Sequence, residues 1–471
     1  MSRLKSGRWF KGLKALGVDR AVGYTVLGRG WTALAGIVTM LALTSFLSRV
    51  QQGYYFTFQS VINLQVFFEL GMVGILVQFA SHERSHLTFT ALHILTGDDR
   101  AKSRLASLLQ LSIRWYTVLA ILMVVFILPG GLGFFAMHSH GSSADWRIPW
   151  ILMVFASAAV LAINSVIAVL EGCGLVAEMA RVRMVQTVAS SIVLWLGLAR
   201  GMGLYAASAA VATQAVWLYA GAIIPHRRLL SDLYGWKCGE HVIRWREEIW
   251  SYQWKIALSW LSGYFISQSF TPILFAVSGP VAAGQMGITL TISQVVLNLA
   301  LSWITTKSAP FGALVAKRDW SALDALFFPN ALRSVAFSAL GALALIACAV
   351  FANHSSLPLA ARLASRIVSP ASLSMIMAAT VATAVVVCQA LYLRAHKQEP
   401  FLWLSVTVGV LSTASAFVGA KFYGAEGMAA AYLLVNVFVG LIGGTHIFNT
   451  KRREWHADRT LEAGLRPRTQ V

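Results

Sequence analysis

The sequence predicts an all-α polytopic membrane protein of about twelve transmembrane helices in two six-helix lobes, and three observations predict it. The chain has 471 residues, of which 57% are hydrophobic and only 12% charged, against about 25% charged in an ordinary soluble domain. Its apolar residues gather into blocks long enough to cross the roughly 30 Å of bilayer hydrocarbon, which takes about 20 helical residues. Two segments in the first half reappear in the second at nearly one offset.

The blocks lie near 25–48, 54–80, 108–130, 149–170, 185–199, 203–224, 256–278, 285–304, 331–352, 371–392, 401–419 and 427–448. Their length argues for helices, because barrel strands need only about 10 residues and alternate polar with apolar. The fifth block is short, and its boundary with the sixth near Arg200-Gly201 is undefined. The organisation that follows is a basic amphipathic N-terminal segment 1–24, a first lobe 25–224, a cytoplasmic linker 225–255, a second lobe 256–448 and a basic tail 449–471. Residues 1–22 hold six Lys or Arg with no small-residue cleavage site after the first span, unlike a removable signal. Trp9, Phe10, Leu13 and Leu16 share one side of a helix there, as in a segment lying on anionic headgroups or a basic tail without structure.

The net charge of +19 is sorted by side rather than gathered into a nucleic-acid patch. With the N-terminus cytoplasmic and sides alternating at each span, about 30 of the 38 Lys and Arg fall on the cytoplasmic side. About six fall outside: Arg49, Arg147, Arg200, Arg362, Arg366 and Lys421. This is the positive-inside bias. Runs such as His226-Arg227-Arg228 and Lys451-Arg452-Arg453 are therefore topology signals, and both termini are expected in the cytoplasm.

Gly53 opens a span ending in Gln78-Phe79-Ala80-Ser81, and Gly284 opens one ending in Pro310-Phe311-Gly312-Ala313, an offset of about 231. Gly201-Met202-Gly203-Leu204-Tyr205-Ala206-Ala207 precedes the sixth span, and Gly424-Ala425-Glu426-Gly427-Met428-Ala429-Ala430 the twelfth, at about 224. The agreement of offsets implies two halves. Six is even, so both insert in the same orientation, related by a pseudo-two-fold axis along the membrane normal with the substrate between them.

Charges near the bilayer centre cost roughly 2.5–3.5 kcal/mol on insertion scales, so they need a reason. Glu69 lies midway along the second span with Gln59, Asn63 and Gln65; at 100° per residue the four occupy one arc of a continuous helix. On the eighth span Thr291, Gln294, Asn298, Ser302 and Thr305 recur at spacings of three and four, which stacks them on one face. Such faces line a wet cavity or hydrogen-bond neighbouring helices. Glu69 has the same two readings, a structural bond or a functional charge that takes up a coupling ion. Arg29, Arg114, Lys255, Lys307 and Arg333 sit within or at the cytoplasmic ends of spans. Each either snorkels to headgroups or turns inward to a cationic vestibule that recruits phosphate.

Leu47-Ser48 through Gly53-Tyr54-Tyr55, then Phe68-Glu69-Leu70-Gly71 and Gln78-Phe79-Ala80-Ser81-His82-Glu83, resemble bacterial polysaccharide flippases of the O-antigen type. So do Gly284-Gln285-Met286-Gly287, Trp303, Lys307 and Pro310-Phe311-Gly312. These proteins form part of the multidrug/oligosaccharidyl-lipid/polysaccharide exporter superfamily. The resemblance implies a multi-pass protein of the bacterial inner membrane. It would carry an undecaprenyl-diphosphate-linked oligosaccharide from the cytoplasmic to the periplasmic leaflet. Its partners would be that substrate, membrane lipids, a coupling ion (proton or sodium) and polysaccharide-assembly proteins. By position, Arg29 and Lys307 match the family's diphosphate contacts, and Gln59, Asn63, Gln294 and Asn298 its sugar contacts; Glu69 is the coupling candidate, and Arg114, Lys255 and Arg333 form the vestibule.

Other classes fit less well. A multidrug or cation antiporter of the same superfamily needs an acidic cavity, and the spans offer one clear carboxylate. A major-facilitator signature after the second span is echoed only faintly by Gly97-Asp98-Asp99-Arg100. A membrane glycosyltransferase or polymerase needs catalytic groups in a sizeable outer loop, where only Asp145, His138 and His140 cluster. No phosphate-binding Gly-Lys loop appears. Cys173, Cys238, Cys348 and Cys388 lack metal-ligand spacing. No cofactor and no metal are expected.

Overall fold

The computed structural model describes residues 20–65, 69, 72–90, 94–138, 144–238, 241–250, 265, 268–396 and 398–464. The amphipathic reading of the N-terminal segment therefore lies outside the described residues, as does Lys255. The described chain is almost entirely helical and separates into two units, Met1–Ala257 and Leu258–Val471.

The first unit opens with α1 (Arg20–Phe46). Ser48 then starts α2 (Arg49–Ile62): its hydroxyl accepts from the Gln51 amide, and the Gln51 side chain accepts from the Ser48 amide, each at 3.1 Å. This reciprocal cap sets the helix start five residues before the expected Tyr54. The second span is not one helix. Here α2 ends at the Asn63 cap, Asn63–Gln65 form a 3-10 turn, and α3 covers Met72–Arg84. A two-stranded antiparallel hairpin follows, β1 (Leu87–Phe89) with β2 (Leu95–Gly97), within what the sequence suggests is plain loop. Next come α4 (Asp99–Met137), α5 (Arg147–Leu170), α6 (Val176–Ala199), α7 (Tyr205–Leu218) and the short α8 (Arg227–Gly235).

Helices α5 and α6 are joined by one π-helical turn, Glu171–Leu175, in which Gly174 takes φ +93°. The whole stretch Arg147–Ala199 is 53 residues, about 80 Å if straight, so one crossing cannot contain it and the glycine breaks it. The fifth span accordingly starts nine residues earlier than its apolar block. It ends at Ala199, and Gly201 and Gly203, both at positive φ, turn the chain into α7. Packing runs α4–α5–α7–α6–α1. Gly172 permits one close approach, since a Cβ there would sit 2.4 Å from that of Ala80 on α3. At the far end of the unit Tyr54 is fully buried among Phe58, Phe135, Trp146 and Trp150.

The second unit contains α9 (Phe270–Thr305), α10 (Ser308–Ala316), α11 (Trp320–His354), α12 (Pro358–Ala364), α13 (Pro370–Ala395), α14 (Leu402–Leu434) and α15 (Ile442–Gly464). Two are interrupted by left-handed glycines: α9 at Gly279, next to Pro280, and α14 at Gly424. The second interruption is a reversal, because Gly419 and Gly427 meet backbone to backbone; a Cβ on Gly427 would lie 2.2 Å from the Gly419 carbonyl oxygen. Residues eight apart on a straight helix are about 12 Å apart. The core is aromatic at one end, with Phe311, Phe327, Tyr392, Phe401 and Phe448 buried together. There Tyr392 donates to Asp324 at 3.0 Å and Arg452 pairs with the same carboxylate, fixing α15 well past the expected end of the last span.

Seven described stretches are long and apolar enough to cross a membrane. The two longest, of 53 and 54 residues, break internally, so crossings outnumber stretches. The protein is an all-α multi-pass membrane protein carrying one small β-hairpin.

Candidate functional site

On the second half of α9 the polar stripe is intact and unpacked. Thr291, Gln294, Asn298, Ser302 and Thr305 are all exposed, whereas Ser293, Leu297, Ala300, Leu301 and Ile304 on the opposite face are buried. The spacing of three and four produces this directly, because those intervals return a side chain to one face. The hydroxyls satisfy themselves on their own helix: Thr291 donates to Gly287 O at 2.8 Å and Ser302 to Leu299 O at 2.6 Å. The amides of Gln294 and Asn298 make no hydrogen bond with any described residue. Neither helix glue nor a capping role accounts for them. Lys307 lies half-buried at the cap of α10, two residues beyond the stripe, and Arg333 on α11 is exposed.

The first unit holds a charged cluster of different make-up. Glu69 is half-buried, within electrostatic reach of Arg183 on α6 and Tyr116 on α4. Arg183 Nε donates to Glu171 Oε1 at 3.0 Å, across the π-helical turn. Its terminal nitrogens make no further hydrogen bond with a described residue, and its side chain is 39% exposed. Tyr116 is buried, and its hydroxyl has no hydrogen-bond partner among the described residues. One turn along α6 from Arg183, Gln186 donates to Gln214 of α7 at 3.2 Å. Two carboxylates, one guanidinium and one buried phenol thus share the interior of one helical unit.

Sequence reasoning missed Arg183 and Glu171. The fifth block begins at 185, and Glu171-Gly172-Cys173-Gly174 reads as a loop, which leaves both residues outside the spans. The usable signal was the spacing of twelve residues with no proline between them. The single polar arc expected for Gln59, Asn63, Gln65 and Glu69 assumes one continuous helix, whereas the helix carrying Gln59 gives way to a 3-10 turn at Asn63–Gln65 and residues 66–68 lie outside the described residues. Gln59 and Asn63 are both half-buried. Arg29 lies on α1, but its side chain, like all of Lys255, lies outside the described residues. Arg114 is exposed on α4. His138 Nδ1 lies 2.9 Å from Phe134 O, Asp145 accepts from Tyr205 at 2.7 Å, and His140 lies outside the described residues.

No protein-family model matches this sequence, and no curated protein matches it either. Solved structures do match. An inward-facing multidrug-resistance MATE-family transporter of the MOP superfamily aligns over 91% of this chain and 99% of its own, with a TM-score of 0.56 at 15% identity. Lipid II flippase MurJ, in an inward closed conformation, aligns over 91% and 87% with a TM-score of 0.61 at 12% identity. The chain has the fold of MOP-superfamily transporters. A drug exporter and a lipid flippase share that MOP fold, so the fold alone does not choose between the two substrate classes the sequence raises.

Proposed function

We propose that the protein is a flippase moving an undecaprenyl-diphosphate-linked oligosaccharide from the cytoplasmic to the periplasmic leaflet for surface polysaccharide assembly. The exposed stripe on α9 supports this most strongly. Two unpaired amides facing lipid would cost several kcal/mol, so Gln294 and Asn298 face a watery path, and amides suit the hydroxyl-rich surface of a sugar. Lys307, two residues beyond the same stripe, is assigned to the diphosphate, and so by its sequence position is Arg29. A cell interior is negative, and moving negative charge outward gains about 2.3 kcal/mol per charge per 100 mV. Export of a diphosphate is thereby favoured, and Glu69 is assigned to the return of the empty carrier.

In a strain lacking the gene, lipid-linked oligosaccharide should accumulate and a surface polysaccharide should disappear. The intact gene reverses both, whereas Arg29→Ala and a Gln294→Leu/Asn298→Leu double variant do not. Normal polymer and lipids in that strain sink the proposal.

A second reading has one observation in its favour. Glu171 supplies the additional carboxylate that a multidrug or cation antiporter needs, beside Glu69. Altered sensitivity to cationic drugs with unchanged polysaccharide would select it.

A further inference from the structure

The chain leaving α7 is bound along one face of α4 before it reaches the second unit. Ser103, Ser107 and Gln110, spaced four and three apart, hold it by main chain and thiol. The Ser107 hydroxyl accepts from the Ile243 amide at 3.0 Å, Gln110 donates to the carbonyls of Tyr234 at 2.8 Å and Trp236 at 3.1 Å, and the Cys238 thiol lies 3.5 Å from Ser103 O. Lys102, 5% exposed, pairs with Asp232 at 2.9 Å and lies 3.9 Å above the Trp236 ring. Leu229, Leu233 and Ile243 of this segment are buried.

Arg104 ties three pieces together. Its Nε donates to the buried Glu83 at the end of α3, and an Nη to Glu248 in the turn Trp245–Ile249, both at 2.7 Å. Glu248 also accepts the Arg244 amide at 3.0 Å. A guanidinium offers separate donors to two carboxylates, which one ammonium at the end of a flexible stem cannot reproduce. Each pair alone is partly exposed and weak; joined through one rigid fork they set the position of the segment's end.

We propose that Arg104 is a positioning residue that makes residues 226–238 and 241–249 a rigid arm of the first unit, and that transport requires this arm to stay seated. This stretch is then a fixed part of the first unit rather than a slack tether.

The native thiol of Cys238 reports on the arm. In full-length protein carrying Cys348→Ser, with Cys173 and Cys388 buried, a maleimide should label Cys238 slowly. Arg104→Gln should raise that rate about tenfold, and Arg104→Lys should not restore shielding. Gln110→Ala, which cuts the bonds to Tyr234 and Trp236 and the 3.9 Å contact with the Cys238 thiol itself without touching Arg104, should open the thiol at least as far. A disulfide between Ser107→Cys and Ile243→Cys should leave transport intact. Cys238 staying shielded in Arg104→Gln and Gln110→Ala overturns the latch. An open thiol with undiminished transport, or transport blocked by the disulfide and regained on reduction, overturns the rigid arm. The transport arms rest on the flippase proposal; failure of the intact protein to export lipid-linked oligosaccharide would defeat that proposal and leave the labelling result standing.

Discussion

Arg183 reaches back over the left-handed turn at Gly174 to donate from Nε to Glu171, 3.0 Å away. A cation and an anion are thereby held together where two helices join, with a second carboxylate, Glu69, close enough to feel the same guanidinium.

Removing one member of that pair should cost more than removing both. Breaking a fully buried pair costs about 3–5 kcal/mol, but Arg183 is 39% exposed, so about 1–2 kcal/mol is expected for Arg183→Leu after allowing for solvent screening. The double variant Arg183→Leu/Glu171→Leu should recover part of that loss. Thermal unfolding in detergent measures both, and a double variant less stable than either single would show the pair is not coupled.

The α9 stripe predicts the opposite division of effects. Gln294→Leu/Asn298→Leu removes two amides that bond nothing described, so unfolding midpoints should hold or rise. Export of lipid-linked oligosaccharide should fall at least tenfold, about 1.4 kcal/mol of lost transition-state or binding energy. Retained export would move the path away from α9.

Glycines offer a paired test of close packing. Gly427→Ala drives a methyl into the Gly419 carbonyl, an overlap that costs about 3 kcal/mol and should deplete folded protein in the membrane. Gly130→Ala on α4 meets nothing within 4 Å and should be neutral, or up to about 1 kcal/mol stabilising through helix propensity. Equal expression and melting of the two would refute the contact.

Acid should loosen the connector only well below neutrality. Burial disfavours the charged form of Glu248, but hydrogen bonds from Arg104 and the Arg244 amide outweigh it and hold its carboxyl below the usual carboxylate range. A lowered folded pKa stabilises fully above the unfolded value, about 4.3, and that contribution is lost as pH falls through the folded value. Cys238 labelling, corrected for thiolate fraction, should be flat from about pH 8 to 5 and rise only below the usual carboxylate range. A rise near pH 6 would assign the latch to another group.

Much of this architecture is visible in block length alone, because a span needs about 20 apolar residues whatever its neighbours do. The stripe on α9 was equally legible, since residues 280–305 form one unbroken helix and periodicity holds along it. The same reasoning failed on the second span, where Asn63 caps a helix that apolar content had suggested would continue. It failed again between spans four and five. Gly172 and Gly174 look like loop formers, yet one enables close packing on Ala80 and the other bends a nearly continuous helix. The β-hairpin and the seated connector depend on pairing across 8 to 144 residues, as in Thr88 with Thr96 and Arg104 with Glu248, and no local pattern encodes such partners.

The reversal at Gly424 bears on chain length. Helical segments on either side are joined by one left-handed residue and touch again at Gly419 and Gly427, so there is no slack between them. The two segments are therefore held as a hairpin of fixed length, with no room for a side chain at either Gly419 or Gly427. An insertion anywhere between Gly419 and Gly427 would have to part that backbone contact, so the turn fixes the spacing of the two helical segments it joins.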